Sequence, residues 1–242
     1  MRIIRVVGEL LITFGLVLLL FCAYELWGTS LYTQRKQAAL TESLQRKWDP
    51  RSTSSVPPGP VASEPPYRYP KVPVGRTFAV LRIPEFGTDY HFAVVQGAGA
   101  QQLKKGPGHY LGEDGTAMPG QLGNFVVSGH RTTYLAPFED IDELEPGDPI
   151  IIETDDTWFI YEVTRKDIVR PTDVEVAAPV PFHPGKRPTE RRITLTTCHP
   201  KYTARRRLIV FGKLADAQSK TVGKPAVLTG TQAGQSSDSR TG

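Results

Sequence analysis

The chain has 242 residues, 39% of them apolar, and 29 Lys and Arg against 25 Asp and Glu give a net charge of +4. That is the composition of an ordinary globular domain with appendages. The small, dispersed excess of positive charge argues against nucleic acid as a partner, and the run Arg205-Arg206-Arg207 better suits the rim of a site. Two cysteines, Cys22 and Cys198, exclude a disulfide framework, because Cys22 lies in an apolar N-terminal run.

Residues 1–28 open with Arg2 and Arg5 and turn apolar from Leu10 to Tyr24. Crossing a bilayer takes about 20 mostly apolar residues. Ile3 to Trp27 reaches that length with Arg5, Glu9 and Glu25 near the ends, where long side chains snorkel. The two arginines favour a cytoplasmic N-terminus. No Ala-x-Ala pattern follows the apolar core, and Phe21 before Cys22 does not fit lipoprotein processing. The expectation is an uncleaved, single-pass signal-anchor that puts the rest of the chain outside the cell membrane.

Residues 29–74 join that anchor to a domain. Gln34 to Trp48 is polar and helix-forming, which predicts a continuation of the membrane helix outward. From Asp49 to Val74 the chain is rich in Pro and Ser, with Pro57-Pro58, Pro60, Pro65-Pro66, Pro70 and Pro73. Such a stretch forms a semi-extended spacer.

A domain is expected over residues 75–214. Strands are predicted at Phe78–Pro84, Tyr90–Val95, Asn124–Ser128, Pro149–Glu153, Trp158–Thr164, 193–198 and 206–213, with a helical turn within 97–103. Gly106-Pro107-Gly108-His109-Tyr110 reads as a loop. Short strands with Gly/Pro turns and little helix point to an all-β barrel or sandwich. Pro171 to Glu190 is a long loop just upstream of a strand, a common position for a binding wall. Ala215–Gly242 has no periodicity and reads as a disordered tail.

The chemistry concentrates at Ile193-Thr194-Leu195-Thr196-Thr197-Cys198 and at Arg207-Leu208-Ile209-Val210-Phe211. Alternation along a strand puts Ile193, Leu195 and Thr197 on one face and Thr194, Thr196 and Cys198 on the other. With Leu208 and Val210 in the core, Arg207 takes the opposite face. If the strands pair antiparallel, a thiol and a guanidinium meet on the face that the core does not use. A neighbouring cation favours the thiolate, the nucleophilic form. Acyl chemistry also needs a proton carrier. His199 adjoins Cys198 and would point to the other face. His130 ends the run Gly123–Gly129 at a Gly-His turn, where a scaffold presents a site residue. His91 and His109 have no partner in sequence and read as structural.

Thr-Leu-Thr-Thr-Cys ending a strand, an arginine opening the next, and Ser-Gly-His-Arg upstream resemble the sortases, which are membrane-anchored cysteine transpeptidases. Gly-His-Tyr at 108–110, Ala-Met-Pro-Gly at 117–120 and Leu-Ile-Val-Phe-Gly at 208–212 make the wording similar to class E enzymes of actinobacteria. The resemblance covers roughly residues 75–214. It implies a closed β-barrel of about eight strands with short helices, and catalysis by Cys198, His130 and Arg207. It implies cleavage between Thr and Gly of a sorting signal such as Leu-Ala-x-Thr-Gly or Leu-Pro-x-Thr-Gly through a thioester. Secreted proteins bearing that signal and a peptidoglycan precursor amine would be the partners. Thr197, Thr196 and Tyr110 become substrate-contacting candidates, although alternation sets Thr197 opposite Cys198. No metal or organic cofactor is implied, and no acidic cluster matches a calcium site.

Three other readings stay open. A thiol L,D-transpeptidase carries Ser-x-Gly-Cys-x-Arg, from which Thr-Thr-Cys-His-Pro departs. A zinc site at Cys198 and His199 lacks repeated ligand spacing. A non-catalytic tethered barrel would need no reactive thiol.

Overall fold

The computed structural model describes residues 2–23, 29–48, 67, 69, 71–112 and 116–229. Two long helices come first, α1 at Arg2–Ala23 and α2 at Thr29–Trp48. The strands are β1 (Thr77–Arg82), β2 (His91–Gln96), β3 (Gly108–His109), β4 (Gly123–Ser128), β5 (Pro149–Glu153), β6 (Thr157–Val169), β7 (Arg191–His199) and β8 (Arg206–Ser219), with a one-turn helix α3 at Ala100–Leu103. They close into a barrel in the order β1-β2-β3-β4-β7-β8-β6-β5, with β5 returning to β1. The pairs β2–β3 and β4–β7 are parallel and the rest antiparallel. This is the closed all-β barrel of about eight strands with short helices that the sequence led us to expect.

Alternation fills the interior. Leu81, Phe125, Val127, Ile152, Tyr161, Ile193, Leu195, Leu208 and Val210 form one buried cluster. The outer face is covered in two places, which is why several strands read as unbroken apolar runs. Val80 and Ala93 are covered by Leu40, Leu44 and Trp48 of α2. Ile209 and Phe211 are covered by Val176 and Phe182 from the segment between β6 and β7.

The sequence reading is corrected in several places. The 106–110 stretch contains β3, a strand too short to show a pattern. β8 continues past 214 to Ser219, and short 3₁₀ turns follow at Lys220–Val222 and Ala226–Leu228; the expected tail therefore loses residues 215–229, and its remainder lies outside the described residues. Most of the spacer, 49–66, also lies outside them. Tyr67 is not spacer, because its ring meets Phe159 edge-on at 4.8 Å, and the Tyr69 hydroxyl donates to the Pro119 carbonyl at 2.8 Å. Helix α2, expected to continue the first helix outward, packs on β1 and β2; the residues that join it to α1 lie outside the described ones. Helix α1 holds Ile3–Phe21, a stretch long and apolar enough to cross a membrane.

Candidate active site

Strands β4 and β7 run side by side in the same direction, with Val127 opposite Leu195 and Ser128 opposite Thr196. The pairing continues past the strand end. The Gly129 N–H donates to the Thr196 carbonyl at 3.1 Å, and the Thr197 hydroxyl donates to the Gly129 carbonyl at 2.8 Å. His130 and Cys198 each lie just beyond that locked rung, so both are delivered to the same end of neighbouring strands, which sit about 4.8 Å apart. On the other side of β7, Cys198 stands opposite Arg207 of β8. Position 198 therefore lies between position 130, reached through a parallel pair, and position 207, reached through an antiparallel one.

Cys198 and Arg207 are both partly exposed. Arg207 Nη1 donates to the carbonyls of Ala204 and Arg206 at 3.0 and 3.1 Å. Among the described residues no carboxylate lies within ion-pair distance of it. Its charge is thus held in place by backbone and left available, as recognition of a developing anion requires.

His130 is half-buried. Its carbonyl accepts the Phe138 N–H at 3.0 Å, and its ring lies 5.0 Å from that of Tyr134. Desolvation by burial holds its pKa below the ordinary histidine value. Tyr134, Leu135 and Ala136 all adopt left-handed backbone, with φ of 53°, 66° and 42°. Three successive non-glycine residues there are strained, and the turn they make sets Tyr134 against the histidine.

Arg131 was not singled out in the sequence, and it is 3% exposed. It pairs with Asp142 at 2.6 Å and donates to the Glu139 carbonyl at 3.1 Å and to His199 Nδ1 at 2.9 Å. A longer contact of 3.5 Å reaches the Cys198 carbonyl. The residue after His130 thus anchors the backbone after Cys198. Its only signal was its place beside His130, since an arginine next to a turn usually reads as surface.

A groove of about 220 Å³ adjoins the thiol end of β7; Tyr110, Ser128, Thr196 and Arg207 lie along it, faced by Arg170 and Val174 from the segment between β6 and β7. Asn124 secures that wall, donating to the carbonyls of Val176 and Ala178 while accepting from the Thr194 hydroxyl. Thr196 and Tyr110 line this groove together with Arg207. Thr197 does not. It is 3% exposed, alternation turns it from the groove, and its hydroxyl is engaged by the Gly129 carbonyl, which ties the two strand ends together. Cys198 and His130 do not line this groove.

His109 is buried between Phe78 and Phe125, and His91 is an exposed residue bonded to the Asp89 carbonyl. Among the described residues no group of three or more His, Cys, Asp and Glu is placed to hold a metal ion.

The model of the sortase domain family matches residues 81–215. Sortase SrtE1 of Streptomyces coelicolor is 39% identical over 234 residues, spanning 93% of this chain but only 60% of that protein. Sortase SrtE2 of the same organism is 35% identical over 218 residues, spanning 87% of this chain and 81% of that protein. The crystal structure of sortase E1 from S. coelicolor superposes with a TM-score of 0.59 at 40% identity, covering 64% of this chain and 97% of that one. By domain match, by sequence and by barrel, the chain belongs to the sortase family.

Proposed function

We propose that the chain is a membrane-anchored cysteine transpeptidase, and that Cys198, His130 and Arg207 carry the reaction. Cys198 as thiolate attacks the carbonyl carbon of Thr in a Leu-Ala-x-Thr-Gly or Leu-Pro-x-Thr-Gly signal. The Thr–Gly C–N bond breaks, the departing amine takes a proton from His130, and a thioester remains. An incoming amine, from a peptidoglycan precursor, then attacks the thioester, gives a proton back to His130 and releases the thiolate. Arg207, whose Nε and Nη2 are not engaged by backbone, stabilises the oxyanion of each tetrahedral intermediate. Because burial lowers the His130 pKa, the imidazolium that must protonate the leaving group is scarcer than an ordinary histidine would supply.

The observation that supports this reading is the strand register, which sets Cys198 opposite Arg207 and brings His130 to the same end of the neighbouring strand, beside a groove that Arg207 lines. The S. coelicolor sortase E1 structure is described with a tripeptide in its active site, which supports a peptide as the occupant here. Helix α1 would span the membrane with its N-terminus inside and the barrel outside.

The test is incubation of the full chain in detergent with both peptides and a primary amine. Cleavage at Thr–Gly, an amine-capped product and a peptide adduct on Cys198 are expected. Absence of any adduct, with Cys198 labelling no faster than a buried thiol, would leave a tethered binding module instead. In Tyr110→Ala the preference between Ala and Pro at the second signal position is expected to change by ~10–200-fold, the range of one pocket contact.

A further inference from the structure

Helix α2 completes the barrel where a strand is missing. β3 is so short that it pairs with β2 only at Val95 and Gln96; Ala93 pairs with Val80 of β1 on one side, and on its other side no strand among the described residues lies beside it. Gln37 of α2 supplies the missing partner. Its Oε1 accepts the Ala93 N–H at 2.7 Å, and its Nε2 donates to the Ala93 carbonyl at 3.3 Å and to the Lys105 carbonyl at 2.5 Å. Thr33, one turn earlier, donates to the Lys104 carbonyl at 3.2 Å. The fit leaves no slack, since a Cβ at Gly106 would lie 1.9 Å from Gln37 Nε2.

The chain pinned in this way leads directly into the groove. After Gly106, the Pro107 carbonyl accepts the Val95 N–H at 2.9 Å, and the His109 carbonyl accepts the Gly97 N–H at 3.0 Å. Tyr110 follows, its N–H given to the Val126 carbonyl at 2.8 Å and its side chain set on the groove. A buried carboxamide whose donors and acceptor are all matched to backbone is a strong positional restraint.

We propose that Gln37 is a positioning residue for the wall that carries Tyr110, so that the helix next to the membrane segment sets the selectivity of the peptide groove. This rests on the peptide reading of that groove. Gln37→Leu keeps the bulk and removes the amide. In the full chain in detergent, amide hydrogen exchange over residues 104–112 is expected to quicken about 5–30-fold, the effect of losing one or two kcal/mol of hydrogen bonding. Exchange over 193–198 stays as in wild type. The ratio of kcat/KM for the Ala and Pro peptides shifts by about threefold or more, a part of what a single pocket contact supplies.

A merely structural Gln37 would lower Tm and leave that ratio unmoved. Leu44→Ala, which loosens α2 without touching Lys104–Gly106, is the control and is expected to lower Tm with the ratio kept. Unchanged exchange over 104–112 in Gln37→Leu would overturn the clamp. Faster exchange with an unchanged ratio would overturn its link to selectivity. Wild type that cleaves neither peptide would refute the peptide reading and the selectivity role with it, and the exchange result would still decide the clamp.

Discussion

The ring of Phe138 occupies the space in which a side chain at Gly129 would sit: a Cβ there would lie 2.6 Å from Phe138 Cδ2. Phe138 is fully buried and has no room to retreat. Gly129→Ala should therefore cost about 1–3 kcal/mol, the usual penalty of overpacking. It should also move His130, because Gly129 is bonded to both Thr196 and Thr197. A lowered urea midpoint with kcat reduced more than KM is altered is the expected result; a variant as stable and as active as wild type would show that the contact relaxes freely.

Cys198→Ala should abolish turnover and leave the fold intact, since the thiol lies off the barrel interior. Arg207→Lys should lose about 10²–10³ in kcat, as for a lost oxyanion donor, because a point charge cannot reproduce the fork. Arg205→Lys is the control. Cys198 is paired with Arg207, so Arg205→Lys should stay close to wild type in kcat/KM.

The contact between His130 and Tyr134 makes a prediction about protonation. Burial depresses the His130 pKa, and Tyr134→Ala removes a ring that helps exclude water. The His130 pKa should rise toward 6.5, the ordinary histidine value. NMR titration of the imidazole measures this, and the imidazolium-dependent limb of kcat should move the same way along the pH axis. A pKa that stays put or falls would assign the desolvation to other neighbours.

Stability should fall in mild acid because of His109. Burial lowers its pKa from 6.5 to about 4, partly offset by the Ala117 carbonyl. Below 6.5 the unfolded chain takes up a proton that the folded one refuses, so stability is lost as pH falls from about 6.5 to about 4. The loss approaches about 3 kcal/mol at the lower end. Urea midpoints for wild type and His109→Gln at pH ~7 and ~4.5 test it, and the glutamine variant should show a smaller drop.

The residues that were legible in the sequence are those governed by alternation along long strands. Cys198 and Arg207 followed from the parity of two apolar runs, and His130 from a glycine at a strand end. Thr197 was already at odds with that parity, and the structure sides with parity. What stayed hidden depends on distant partners. The two residues of β3 carry no pattern of their own. The end of β8, Ala215-Asp216-Ala217-Gln218-Ser219, alternates poorly because it pairs with β6 in a partly exposed ribbon. Gln37 looks like a solvent-facing polar residue until the open edge at Ala93 is known. Arg131 is identified as buried only by the carbonyls and carboxylate that converge on it.

The order of strands around the barrel also bears on how the protein is made. Among the described residues β8 is the last strand, yet it sits between β7 and β6, and the bond from Thr197 to Gly129 joins residues 68 positions apart. Until residues 206–219 arrive, both β7 and β6 present an unpaired edge, and Cys198 has no guanidinium opposite it. Such non-local pairing makes folding slow, on the order of milliseconds to seconds, and open edges invite pairing with other chains in the meantime. A chain that emerges N-terminus first would therefore keep Cys198 without Arg207 opposite it until residues 206–219 have taken their place between β7 and β6.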